Sequence, residues 1–309
     1  MKKLITLAIA LFCAVSLQAK GDLHLFSIEN KDGKVTPYTI EQILNKSGLL
    51  HVELNSNMIG PFKKQFKETK YKIFTLMTFW SKKHTRDLVN KYPKAGAFTP
   101  MGMGIYQAKD EDTLHFSILT AEAQGKILGL KDLSLLKKIE AEVMNVIKAN
   151  FPKAKHAYSE DSLKTGHNLV TTYETELDED EDPEDVLDEF QMNLEAGFKP
   201  YGFVVPQFMD LNEVLTEDGT KESPYDFYIT YSICKLPVIY TVAKSRPEAS
   251  AFAPCTTMVY KKKDEDKIVV GFPAVYNWMS SALVEDKEAK AVLMKAQTDF
   301  ESILKDITE

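Results

Sequence analysis

Cysteine is scarce in this 309-residue chain, with Cys13, Cys234 and Cys255 the only three. So few cannot build a disulfide-stapled framework. None stands in a Cys-x-x-Cys motif, and none of the six histidines stands in His-Glu-x-x-His or beside a cysteine cluster, so zinc-site spacing is missing and no metal site is expected. A Gly-x-Ser-x-Gly elbow, a phosphate-binding glycine loop, a dinucleotide fingerprint and a haem-attachment motif are missing too. That weakens the reading as an enzyme and leaves no cofactor to expect. Positive charge is in deficit, 38 Lys and Arg against 45 Asp and Glu. The balance argues against nucleic acid and anionic membrane surfaces as partners. Long apolar runs are lacking except at 4–17, where 14 residues fall short of the roughly 20 that a spanning helix needs.

What surrounds that run gives it a meaning. Lys2 and Lys3 precede it and Gln18-Ala19 follow it, the order of a secretory signal peptide at residues 1–19. Cys13 follows Phe12, whereas a lipoprotein signal needs a small residue there. The expectation is cleavage after Ala19 and a periplasmic or secreted chain with no membrane span. Removing two lysines leaves 36 basic against 45 acidic residues, a net charge of nine negative. The remaining length suits two domains of ordinary size, and 44% apolar residues is normal for globular proteins.

Sliding the chain over itself by 154 positions uncovers a repeat. Pro93-Lys-Ala-Gly-Ala-Phe-Thr-Pro100 lies over Pro247-Glu-Ala-Ser-Ala-Phe-Ala-Pro254, and ten of the 20 positions from 93 to 112 are identical without a gap. Tyr71 meets Tyr225 at the same offset. Around this block both copies predict the same order. Aromatic and β-branched runs at 71–80 and 225–234 read as strands, short helices follow at 83–90 and 237–244, and hairpins come next at 101–119 and 255–272 with Lys-Asp-Glu-Asp turns. Each copy ends in an amphipathic helix, with Leu136, Ile139, Val143, Val146 and Ile147 on one stripe and Leu293, Ala296, Phe300, Ile303 and Leu304 on the other. A strand, a helix and a strand open each copy. The expected fold is α+β: two repeated two-layer sheet-and-helix domains with mostly antiparallel sheets, 20–152 and 167–309, joined at 153–166 and arranged as an internal pseudo-dimer.

The second copy has a strand ending at Cys234, Pro237 three residues on, and Phe252-Ala-Pro-Cys255-Thr-Thr-Met-Val-Tyr260 opening the hairpin. This text resembles the domain of unknown function 302 family, whose usual pattern is a strand ending in Cys-Asn-Pro and a Pro-Cys pair opening a later strand. Cys234 is followed here by Lys235-Leu236-Pro237, a departure that removes the family's asparagine. The first copy keeps the frame but has Trp80 and Met101 at the two cysteine positions. The resemblance implies a two-layer fold, with helices on one face of an antiparallel-rich sheet, and implies no activity.

Cys234 and Cys255 are the sharpest chemical candidates. They read as two buried small hydrophobes, as a structural disulfide, or as a thiol pair for redox or sulfur transfer, depending on whether their strands are antiparallel neighbours. Met101 and Met103 alternate with Gly102 and Gly104 on one strand, so the methionines share a face and the other face is bare. With Cys255 they are candidates for lining a ligand pocket, and the bare face marks a pocket or the contact between units. His84 and His115 are positioned to reach the same end of the first unit. The acidic run from Glu176 to Asp185 reads as a loop and helix start, where acids complement the helix dipole around Pro183. The expected function is non-enzymatic binding of a small molecule or an envelope protein. A thiol-dependent activity and a purely structural envelope module are the alternatives. Any chemistry is expected in the second copy.

Overall fold

The computed structural model describes residues 20–164, 167–177, 181–216 and 222–309. The amino-terminal segment read as a signal, and Asp178, Glu179 and Asp180 of the acidic run, lie outside them. The first unit runs β1 (Leu23–Glu29), α1 (Pro37–Lys46), β2 (Leu50–Asn57), α2 (Ile59–Phe66), β3 (Tyr71–Ser81), α3 (Thr85–Lys91), a 3-10 helix (Pro93–Phe98), β4 (Met101–Ala108), β5 (Thr113–Leu119), α4 (Ala121–Leu128), α5 (Ser134–Asn150) and β6 (Lys155–Tyr158). The second runs β7 (Val170–Glu176), α6 (Pro183–Tyr201), β8 (Val204–Asp210), α7 (Leu211–Thr216), β9 (Tyr225–Cys234), α8 (Leu236–Ala243), a 3-10 helix (Pro247–Phe252), β10 (Cys255–Lys262), β11 (Lys267–Pro273), α9 (Tyr276–Ser281) and α10 (Lys287–Thr308).

The helix starts follow from local chemistry. Thr36 caps α1 in a reciprocal pair with Thr39, with Pro37 in the first turn, where a missing N–H costs nothing. Asp182 accepts from the Glu184 amide ahead of Pro183, so the described part of the acidic run is a helix start as expected. Asp286 caps α10 in the same way through the Ala289 amide.

Strand order makes the repeat visible. The first sheet is β2-β3-β4-β5-β1-β6, and the second, read from its other edge, is β8-β9-β10-β11-β7, every described pairing being antiparallel. The orders coincide except for β6, which lies within the stretch expected as a junction and adds itself to β1. Period-two alternation splits each sheet into two faces. In β9, Phe227, Ile229, Tyr231 and Ile233 pack with Phe190 and Leu194 of α6 and with Phe300 and Ile303 of α10. Tyr228, with Met258 and Tyr260 of β10, instead joins a cluster continuous with the first unit's core.

That second face is where the units meet, and the contacts come in pairs. The Tyr71 hydroxyl donates to the Ala243 carbonyl at 2.5 Å, and the Tyr225 hydroxyl donates to the Val89 carbonyl at 2.9 Å. Residues 71 and 225, like 89 and 243, stand 154 apart, so one contact is made twice, as in a two-fold dimer. Each 3-10 helix packs on the other unit's sheet. The close approach requires glycine: a Cβ on Gly102 would stand 2.4 Å from the Ala251 carbonyl oxygen, and one on Gly104 would stand 1.8 Å from Ser250 Oγ. The bare glycine face is therefore the contact between units.

Candidate functional site

In the second unit the end of the sheet fails to close against the helices. β9 and β10 are antiparallel neighbours with Cys255 opposite Ile233, so Cys234 at the end of one strand and Cys255 at the start of the next come to the same place. α8, α9 and α10 cover this place incompletely and leave a small, half-open cavity of about 50 Å³ that both cysteines line. Both are free. Burial pushes the Cys255 thiol up to about 12, against a weaker downward pull from the Trp278 indole, and it pushes Cys234 up further, with Cys255 adding to the effect. The thiolate is the reactive form, so burial holds both sulfurs toward the less reactive thiol.

The rest of the wall is apolar apart from a few groups. Phe203, Ile233, Phe272, Leu293 and Phe300 supply most of it. Lys235, the residue after Cys234, lines one side and bonds Asp299 of α10 at 2.6 Å. Its ammonium also sits 4.8 Å from the centre of the Phe203 ring. Asp299 takes a second lysine, Lys295, at 2.8 Å. Burial would raise the Asp299 carboxyl, but the bonds from Lys235 and Lys295 outweigh it and hold it below the usual carboxylate range. Trp278 is 3% exposed and lines the cavity, and its Nε1 donor meets no oxygen or nitrogen acceptor among the described residues, facing only the Cys255 sulfur. A thiol sulfur is a weak acceptor, and a ligand oxygen would serve the indole better.

The first unit holds the same place in another form. A gap of only about 10 Å³ there is lined by Phe79, Met101, Gln124, Ile139 and Glu140, among others. The offset of 154 matches the first three to Ile233, Cys255 and Trp278, and the helix stripes, which are offset by 157, match the last two to Ala296 and Gln297. The helix register is secured by the backbone: Glu140 accepts from the Ala121 amide and Gln297 accepts from the Val275 amide, both at 2.9 Å. Met101 thus lines this gap, at the position Cys255 occupies in the sister unit. Met103 is fully buried in the sheet opposite Met77.

Glu140 marks the largest chemical difference between the copies. It bonds His24 Nε2 at 2.7 Å, and His24 Nδ1 lies 2.9 Å from His156 Nε2, so a carboxylate and two imidazoles form a line from the cavity wall to the surface. Burial would raise Glu140, but the bonds from His24 and the Ala121 amide hold it low. Partial desolvation, then the charge of His24, keeps His156 below the ordinary imidazole value. In the second unit the same chain is Gln297 bonded to Thr171 Oγ1 at 3.1 Å, which cannot titrate. The unit expected to be only structural therefore carries titratable groups that its sister lacks. Sequence reasoning passed over His24 and Glu140 because 116 residues separate them, and only the sheet and α5 bring them together.

His84 and His115 do not share an end of the unit. His84 lies 3.3 Å from Glu142 just past the end of β3, where Phe79 pairs with Met101. His115 pairs with Tyr106, five residues further along β4, or roughly 17 Å at strand rise, and bonds Glu111. Antiparallel pairing puts the two at opposite ends of the sheet. Among the described residues no group of three or more His, Cys, Asp or Glu side chains could hold a metal ion, and no helix is long and apolar enough to cross a membrane.

With this geometry in view the comparisons are informative for one unit. Residues 182–307 match the family described as "Domain of unknown function DUF302". The match takes in α6 to α10, and with them the cavity, both cysteines and Lys235. Among solved structures the chain is similar to an uncharacterized conserved protein DUF302 from Bacillus stearothermophilus, at 18% identity and a TM-score of 0.37, over 46% of this chain and 98% of that one. No curated protein matches the chain.

Proposed function

We propose that this is a non-enzymatic binding protein of the periplasm or cell exterior, which holds a small apolar molecule in the cavity of the second unit. The observation that carries the reading is the gap between the sheet end and α8 to α10, a half-open cavity of about 50 Å³ lined mostly by apolar side chains. Apolar concavities with few polar groups are the usual form of small-molecule sites. The Trp278 donor supports it, since it faces only the weak acceptor sulfur of Cys255. The amino-terminal pattern supports the location.

The sister unit supplies the test. Replacing Ala296 by isoleucine and Cys255 by methionine installs the residues that the first unit has at those two positions. The uncharged fluorophore N-phenyl-1-naphthylamine is expected to brighten on binding the wild-type chain, and the double variant A296I/C255M should bind it about tenfold or more weakly, roughly 1.4 kcal/mol. No brightening with the wild type, or undiminished affinity in a variant that melts normally, would overturn the proposal.

A further inference from the structure

Charge is divided unequally between the two units. Residues 20–158 hold 22 Lys and Arg against 14 Asp and Glu, eight positive in excess. Residues 159–309 hold 14 against 31, seventeen negative in excess. The overall negative balance therefore hides a basic unit joined to an acidic one. A charged surface feels the nearer of the two, because salt at physiological strength screens charges beyond about 8 Å, less than the radius of gyration of a unit of this size, about 14 Å. Net charge thus does not argue against an anionic surface as a partner of the first unit.

The surplus gathers where lysines go unpaired. Glu140, Glu142 and Glu111 are taken by His24, His84 and His115, so they neutralise no lysine. Lys63, Lys64, Lys67 and Lys70 fall within eight residues at the end of α2 and the turn after it, all exposed, with Glu68 the one acid among them. None of the four forms an ion pair among the described residues, and neither does Lys109. Lys70 donates to the Lys244 carbonyl at 2.8 Å, and Lys70, Lys109 and Lys244 line a groove of about 500 Å³ between the units. Glu68 and Asp110 line it too, and Glu288 lies 3.4 Å from Lys244, which leaves six lysines facing three carboxylates. α2 turns its apolar side inward, with Phe62 fully buried and Phe66 stacked on Tyr240 of α8 at 3.9 Å. The lysines are what it offers to the outside.

We propose that the first unit docks on an anionic phospholipid surface through Lys63, Lys64, Lys67 and Lys70, with the acidic unit turned to solvent. This stands independently of the second-unit cavity. A planar surface is the partner that suits a molecule divided in this way, since it attracts the basic unit, repels the acidic one and so fixes a single orientation. A soluble polyanion approaches the basic unit from any side and gains nothing from the division. Contact is electrostatic: lipid phosphates meet ammonium groups, no apolar side chain inserts, and adsorption weakens as salt rises.

The experiment is sedimentation of residues 20–309, which contain both units and lack the apolar run at 4–17, with vesicles of phosphatidylglycerol or of phosphatidylcholine. Binding is expected on phosphatidylglycerol alone, and it should be lost when salt is raised from about 0.1 to about 0.5 M. A lysine near an anionic surface contributes on the order of fivefold, so K63E/K64E should bind at least about twentyfold more weakly. K82E/K83E makes the same change of charge past the far end of β3, roughly 35 Å along the strand, and should lower binding by less than about threefold. Vesicles should also protect Lys63 and Lys64 from acetylation while Lys287 and Lys290 stay reactive, a readout that needs no substitution to fold. No binding to phosphatidylglycerol, equal binding to phosphatidylcholine, equal loss in the two variants, or undiminished labelling of Lys63 and Lys64 overturns the proposal. Retention on heparin without binding to vesicles overturns it too and gives the lysines to a soluble polyanion.

Discussion

Cys255 illustrates how a single side chain changes the meaning of a fold position. In the first unit the place belongs to Met101, and in the second a smaller thiol stands there beside Cys234, where the first unit has Trp80. Burial raises both thiols, Cys255 to about 12. In a Cys13→Ser background, both are expected to react with a thiol reagent at pH 8 at least about tenfold more slowly in the native chain than in guanidinium chloride, since the thiolate is the attacking species. Rapid labelling of the folded protein would restore the thiol-dependent alternative. The residue that sequence reading undervalued is Lys235. It was visible as an anomaly beside Cys234, but its partner Asp299 is 64 residues away, and only the packing of α10 gives the anomaly a role.

Elements were legible in proportion to their period and length. The stripes on α5 and α10 are buried as their spacing requires, and the hairpins lie where aromatic and β-branched runs end in Lys-Asp-Glu-Asp turns. Shorter elements such as α2, α7, α9 and β6 escaped, since six or eight residues carry too few repeats of either period and four carry almost none. On β4 the alternation of methionine with glycine was read correctly as two faces, and the structure decides what the bare face is for. Gly102→Ala puts a methyl group against a backbone carbonyl that has little room to move. It is expected to cost about 1–3 kcal/mol in urea denaturation, the usual penalty of overpacking. Gly60→Ala, in a helix with nothing near its Cβ, should be neutral or stabilising by up to about 1 kcal/mol. If the two variants denature alike, the interface is looser than the distances imply.

At the scale of the whole molecule, the two units are held by phenols. Tyr71 and Tyr225 make the paired bonds between units, and Tyr228 reaches the carbonyl of Pro93 across the same face. Burial raises all three, and it raises Tyr231 and Tyr260 to about 12. A phenol whose folded value lies above its unfolded value favours the folded state fully below the unfolded value, and that contribution is lost as pH rises through the folded one. Stability is therefore expected to hold up to about pH 9 and to fall steeply between about pH 10 and 12. Phenolate absorbance and far-ultraviolet circular dichroism should then change together in an alkaline titration. Phenolate forming at ordinary pH with the secondary structure intact would contradict the tight interface.

The sequence by itself determined the repeat, the order of the longer elements and the faces they bury, because periodicity and turn residues are local and each copy states them separately. It also made the contrast in cysteine content plain. Only the tertiary structure decided that the repeated Phe-x-Pro frame and the glycines are where the units meet. Only it placed Lys235 and Trp278 at one cavity, with Asp299 on Lys235, and Glu140, His24 and His156 in one line. The reason is physical: a contact across 64 or 116 residues leaves no period or spacing in the chain, and it exists only once sheet and helix have packed.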